Sequence, residues 1–189
     1  MGFDKIILLK TKKNSYLSIN LLPILLMNYE IVELVNFSGH KTTIYSVILG
    51  DDELTLYDYF IEENIEEYKK EIKSIVNRLA IIGNETGARE QFFKLNEGKP
   101  GDSVCALYDE PSNYLRLYCI RYGLCVIILG GGGPKFTRTW QEDPKLTLEA
   151  STLIEISNDI AQRIKDGEIK WSHNGTQLIG NLKFSDDEQ

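Results

Sequence analysis

The sequence predicts an α+β fold: two N-terminal helices packed on a twisted antiparallel sheet of about four strands, a further C-terminal helix, and strand-rich extensions at both ends. Three observations lead there. Apolar residues recur every three or four positions through 65–82 and again through 146–165, the spacing of one helix face. Between them, 91–129 holds short runs rich in β-branched and aromatic residues, separated by turn-forming residues. Four consecutive glycines, Gly130–Gly133, followed by Pro134-Lys135, then punctuate the chain before the last helix.

Taken in order, residues 1–40 form a strand-rich extension with short apolar pieces at Ile6–Leu9 and Tyr29–Val35. Phe37 to His40 offer turn residues before a strand at Thr42–Leu49. Asp51-Asp52 are positioned to cap a short helix in LTLYDYFIEEN. An amphipathic helix follows over Ile65–Ile82, with Ile72, Ile75, Val76 and Leu79 on its apolar side and Gly83-Asn84 as its stop. Strands are expected at Gln91–Leu95, Ser103–Tyr108, Tyr114–Arg121 and Leu124–Leu129, the last two joined by a hairpin at Arg121-Tyr122-Gly123. The glycines should end the last strand abruptly, permitting a bulge or sharp turn that lets backbone approach closely. The helix after Asp143-Pro144 runs from about Leu146 to Lys165. Residues 166–189 then make a hairpin through His173-Asn174-Gly175 and an acidic tail, leaving 41–165 as the central domain.

Composition bounds the function. The chain has 189 residues, 42% apolar and 26% charged, enough for one full-sized domain and unlike a disordered chain. Its net charge of −7 works against non-specific binding to nucleic acid over the whole surface. The segment Asn84–Lys145, however, carries eight Lys or Arg against eight Asp or Glu, so it is neutral within an acidic chain. Cys105, Cys119 and Cys125 lie in apolar, strand-like stretches and read as small buried hydrophobes of a reducing cytoplasm. Cys119 and Cys125 could still face each other across the turn they flank. His40 and His173 are far apart and belong to no zinc motif, so no metal or cofactor is expected. The start shows no cleavage-site pattern, and Leu21–Met27, interrupted by Pro23, is too short to span a bilayer. A cytoplasmic protein without membrane segments is expected.

The glycine run is not a phosphate-binding loop. That motif needs G-x-x-x-x-G-K-[ST] opening a helix, whereas Gly133 is followed by Pro134-Lys135-Phe136-Thr137.

The order of elements, together with YLRLYCIRYGLCVIILGGGGPK, resembles the RelE/HigB superfamily of toxins from type II toxin–antitoxin systems, in its phage-derived HigB-like branch. Leu115-Arg116-Leu117-Tyr118 matches a strand pattern of that family, and Val126–Leu129 with the glycines and Lys135 matches its neighbouring strand and basic turn. FFKLNEGKPGDSVCALYD is similar to the family's lysine-containing loop and strand, which brings in Lys94 and Lys99. The resemblance leaves both ends of the chain outside it. Family members are usually strongly basic, whereas this chain is acidic; its basic tandem after the last strand is reduced to Lys135 and Arg138, and no histidine lies between Gly87 and Ile164.

The resemblance implies a metal-independent mRNA endoribonuclease, with an antitoxin protein and the ribosome or its mRNA as partners; the terminal extensions could cap sheet edges or form a homodimer interface. The chemistry is attack of a ribose 2′-hydroxyl on the adjacent phosphate. Arg116 suits the phosphorane charge because its guanidinium forks onto phosphate oxygens. Lys135 could supply a second cation, and Lys94 could act as base if its amine is made less basic. Tyr118, on the same strand face as Arg116, could stack on a base, with Arg138 and Lys99 as further substrate contacts. Each has a plain structural alternative: an ion pair for Arg116, a solvated loop for Lys135, a snorkelling edge position for Lys94, and a core position for Tyr118. A non-catalytic protein-interaction module on the same fold is the competing reading.

Overall fold

The computed structural model describes residues 28–95, 97, 101 and 103–185. The expected piece at Ile6–Leu9 and the candidate contact Lys99 lie outside the described residues.

The chain is α+β, but its sheet is larger than expected. Strands β1 (Tyr29–Glu33), β2 (Thr43–Leu49), β3 (Phe93–Lys94), β4 (Val104–Tyr108), β5 (Leu115–Tyr122), β6 (Val126–Pro134) and β9 (Lys183–Phe184) form one seven-stranded sheet, in the order β3-β4-β5-β6-β2-β1-β9. Every neighbouring pair is antiparallel except β2 and β6, which are parallel. The expected sheet of about four strands is therefore corrected to seven. The pieces at either end of the central segment, β1 and β9, hydrogen-bond to one another and extend the same sheet. A second, two-stranded hairpin, β7 (Ile169–Trp171) with β8 (Leu178–Gly180), stands beside it.

Three helices cover the sheet on both sides, which also corrects the expected placement. Helix α1 (Leu56–Asn64) and helix α2 (Lys69–Ile81) contribute Tyr57, Phe60, Ile72, Ile75 and Leu79 to one core with Ile44, Leu107, Leu115, Leu117 and Cys119. Helix α3 (Pro144–Asp166) contributes Leu146, Ala150, Leu153, Ile156 and Ile160 to the other, against Val104, Ala106, Tyr118, Ile120 and Ile128. The sheet is thus apolar on both faces, so its central strands read as nearly continuous hydrophobic runs instead of alternating.

Local sequence explains the ends of the helices. Asp51-Asp52 do not cap α1. Thr55 and Asp58 do, in a reciprocal capping box with Thr55 Oγ1 accepting from the Asp58 amide at 3.1 Å and Asp58 Oδ2 accepting from the Thr55 amide at 2.9 Å. Asp143 caps α3 with Pro144 in its first turn, and Gly167, at φ +80°, ends it in the left-handed conformation.

The glycines do not end β6. The strand runs straight through them to Pro134. Between the pairs Cys119↔Leu129 and Leu117↔Gly132, the single residue Tyr118 on β5 faces two residues, Gly130 and Gly131, on β6. The extra residue is a β-bulge, as the sequence suggested. What approaches closely is α3: a Cβ on Gly130 would meet the side chain of Leu153, one on Gly131 the Glu149 carboxylate, and one on Gly133 the Lys145 Nζ. Lys145, Glu149 and Leu153 are spaced by four and form one stripe of α3, which the glycines let lie directly on the strand.

Among the described residues no helix is long and apolar enough to cross a membrane. Cys119 has Cys105 of β4, not Cys125, as its neighbour, with the two Sγ atoms 3.5 Å apart and both thiols free.

Candidate active site

Strand register builds the site. Tyr108 pairs with Arg116, Lys94 pairs with Ala106, and Arg116 pairs with Gly133. Alternation along β4 and β5 places Val104, Ala106, Tyr118 and Ile120 on the α3 side, and Tyr108 and Arg116 share that parity. Tyr108 and Arg116 therefore form a transverse pair across β4 and β5, and Lys94 lies on the same face one row along, opposite Ala106, with its Nζ reaching the Tyr108 ring. Lys135 follows β6 immediately, its amide bonded to the Tyr114 carbonyl at 2.8 Å.

A carboxyl group sits among these cations. Glu97, in the loop between β3 and β4, is half-buried, and burial holds its pKa above the ordinary carboxylate range. The fields of Arg116, Lys135 and Lys94, in that order, oppose the shift without cancelling it. These are the three residues the sequence singled out for catalysis, and the fields of all three act on one acid. Three buried polar atoms among the described residues lack a hydrogen-bond partner here: Glu97 Oε2, Arg116 Nε and Tyr118 Oη. Two further buried atoms, Asp109 Oδ2 and Tyr122 Oη, also lack a protein partner, so the orphans near Glu97 make it a candidate site.

The individual positions differ in how freely they could act. Arg116 is only 7% exposed, and its Nη1 donates to the carbonyls of Asn113 and Leu115 at 3.0 and 2.9 Å. Its remaining guanidinium edge carries the unpaired Nε. Lys135 donates through Nζ to the Thr137 and Arg138 carbonyls at 2.8 and 2.9 Å, holding the loop before α3. Lys94 is exposed, with its Nζ 5.5 Å from the Tyr108 ring centroid. Tyr118 has no exposed surface and belongs to the core beneath α3, so this fold gives it no face for stacking on a base. Burial, followed by the negative field of Glu97, raises its hydroxyl well above the ordinary tyrosine value. Arg138 is exposed, and its amide is bonded to Glu142 at 3.2 Å in the short loop ahead of α3.

Two residues of the site escaped the sequence. Glu97 sits in a stretch that composition marks only as a loop, and nothing in its spacing ties it to Arg116. Tyr108 became visible only through register. Its ring has Arg78 Cζ at 5.2 Å, Lys94 Nζ at 5.5 Å and Arg116 Cζ at 5.7 Å, and its hydroxyl donates to the Gln91 carbonyl at 2.9 Å. The negative face of the ring attracts a cation placed over it.

Fold and site together define an α+β protein with helices on both sheet faces and a cationic cluster about a desolvated carboxyl group. Comparison of the chain with protein-family models, with curated proteins and with solved structures finds no match.

Proposed function

We propose that the chain is a toxin-like, metal-independent endoribonuclease whose reaction centre is Glu97 with Arg116, Lys135 and Lys94. What supports this reading is that Lys94 and Arg116 approach the Tyr108 ring from one sheet face, that Lys135 follows the strand paired with Arg116, and that the fields of all three act on Glu97, whose pKa is raised. Cleavage by 2′-hydroxyl attack needs a base, positive charge for the phosphorane and a proton for the leaving oxygen. Glu97 fills the first role, which no histidine in the central segment could fill. A carboxylate with a raised pKa is a better base near neutral pH than an ordinary one.

Glu97 takes the proton from the 2′-hydroxyl as the 2′-oxygen bonds to phosphorus. Arg116 and Lys135 hold the non-bridging oxygens. The bond from phosphorus to the 5′-oxygen breaks, and the exposed Lys94 ammonium gives that oxygen its proton. The products are a 2′,3′-cyclic phosphate and a 5′-hydroxyl end. In this reading Lys94 is an acid, not the base that the sequence suggested.

The second reading, a protein-interaction module without catalysis, rests on a separate observation. The carbonyl bonds of Arg116 and Lys135 are the kind that structural cations make. Expression in a growing bacterial host separates the two. Under the first reading wild type arrests growth and cleaves mRNA, whereas Arg116→Ala and Lys135→Ala lose both effects. Absence of arrest and cleavage by wild type rejects the endoribonuclease.

A further inference from the structure

Around Arg78, whose guanidinium lies over the Tyr108 ring, is an open groove of about 490 Å³, lined by α2 residues Lys70, Lys73, Ser74, Asn77, Arg78 and Ile81 together with Phe92 and Glu110. Lys70, Lys73 or Ser74, Asn77 and Ile81 succeed one another at helical spacing, so the groove follows one stripe of α2. Its floor is fixed. Arg78, 7% exposed, lies between the rings of Phe92 and Tyr108, with its Cζ 5.5 and 5.2 Å from their centroids. Its Nη1 donates to the Tyr108 carbonyl at 2.7 Å, and its Nη2 pairs with Glu110 at 2.8 Å. Ser74 Oγ accepts from the Glu110 amide at 3.1 Å, tying that acid to the helix.

The acid in the groove is thus matched by Arg78. Lys70 and Lys73 are exposed and form no ion pair among the described residues, so the groove's uncompensated charge is positive. Tyr108 joins this groove to the site, because the ring that Arg78 covers is the one that Lys94 and Arg116 approach. A chain of phosphates leaving Arg116 past Tyr108 would therefore enter a groove with two free ammonium groups and an aromatic wall. That combination suits single-stranded nucleic acid.

We propose that the α2 groove binds the backbone of a single-stranded RNA that flanks the scissile phosphate, with Lys70 and Lys73 contacting phosphates and Phe92 forming an apolar edge beside them. The proposal rests on the endoribonuclease reading for the identity of the polyanion, and its test contains no cleavage step.

The test uses the full chain and a fluorescently labelled 2′-O-methyl RNA of about twelve nucleotides, which cannot be cut because the attacking hydroxyl is blocked. Anisotropy is followed over a range of salt. The Lys70→Gln/Lys73→Gln double variant should bind on the order of tenfold more weakly at physiological salt. The slope of log affinity against log salt should fall by about 1.4, two phosphate contacts at ~0.7 each for a single strand. A Lys165→Gln/Lys170→Gln variant loses the same net charge from exposed positions in the last turn of α3 and in β7 and should bind like wild type. Equal weakening of the two double variants, or no binding by wild type, overturns the proposal. So does displacement of the oligonucleotide by a polyglutamate peptide at lower concentration than by unlabelled RNA, which assigns the groove to an acidic protein segment. A chain that binds in this way but never cleaves unmodified RNA keeps the groove and loses the reaction centre.

Discussion

Replacing the glycines of β6 by alanine, one at a time, should give a graded series set by what each new methyl group meets. At Gly132 the methyl would overlap the backbone carbonyl of Arg116, which is fixed by the pairing of Leu117 with Gly132 and cannot move without opening the ladder. At Gly130 it would lie 2.6 to 2.9 Å from the side chain of Leu153, a buried core residue that must change rotamer or push α3 outward. At Gly133 the nearest atom is Lys145 Nζ at 3.3 Å, the far end of a long and partly exposed side chain. Overpacking a core typically costs about 1–3 kcal/mol, and a rigid backbone neighbour puts Gly132→Ala at the upper end, about 3 kcal/mol. Gly133→Ala should fall within about 0.5 kcal/mol of wild type, because the slight crowding is offset by the reduced freedom of the unfolded chain. For a chain of this size each kcal/mol moves Tm by about 2–4 °C, so Gly132→Ala should melt about 6–12 °C lower and Gly133→Ala within about 2 °C of wild type. Thermal melts followed by circular dichroism measure both. A drop for Gly132→Ala no larger than that for Gly133→Ala would refute the close approach of the β5 backbone to β6.

Two further predictions concern α3. Asp143 accepts from the amides of Lys145 and Leu146 at 2.9 and 3.1 Å, so Asp143→Ala should cost about 1 kcal/mol and lower Tm by about 2–4 °C; an unchanged Tm would deny the cap. Asp159, which accepts from the Tyr29 hydroxyl at 2.9 Å, has its carboxyl raised above the usual range by burial, against the opposing effects of that bond and of Arg163. Its folded-state pKa exceeds its unfolded one, so its contribution is fully present at low pH and is lost as pH rises through the folded value. Asp159→Asn keeps an acceptor without the charge. It should match wild type near pH 4 and melt higher near pH 8, and the reverse order would contradict the sign.

Much of the fold was legible because its signals are local. Helix periodicity placed α2 and α3 within a few residues, and turn chemistry located the β5–β6 and β7–β8 hairpins. Local signals do not show which strands become neighbours. The parallel pairing of β2 with β6 joins segments about eighty residues apart, and the meeting of β1 with β9 joins the two ends of the described chain. Both depend on the packing of complete faces. The glycine run misled for a related reason. Four glycines in a row read as a break, yet their missing side chains are what lets the Lys145–Glu149–Leu153 stripe of α3 lie on the strand. Arg116, Lys135 and Lys94 were visible as cations at suggestive positions, whereas Glu97 and Tyr108 needed the register of β3, β4 and β5 to be seen beside them.

In the proposed reaction Glu97 is the base among these cations. The most direct measurement follows cleavage of a single-stranded RNA by the purified full chain in EDTA, as a function of pH, for wild type and Glu97→Gln. Wild type should yield 2′,3′-cyclic phosphate and 5′-hydroxyl ends, with a rate that rises through a pKa above the usual carboxylate range. Glu97→Gln should retain its fold and lose about 10²–10⁴-fold in rate. Cleavage by Glu97→Gln at the wild-type rate, or no cyclic phosphate from wild type at any pH, would contradict it.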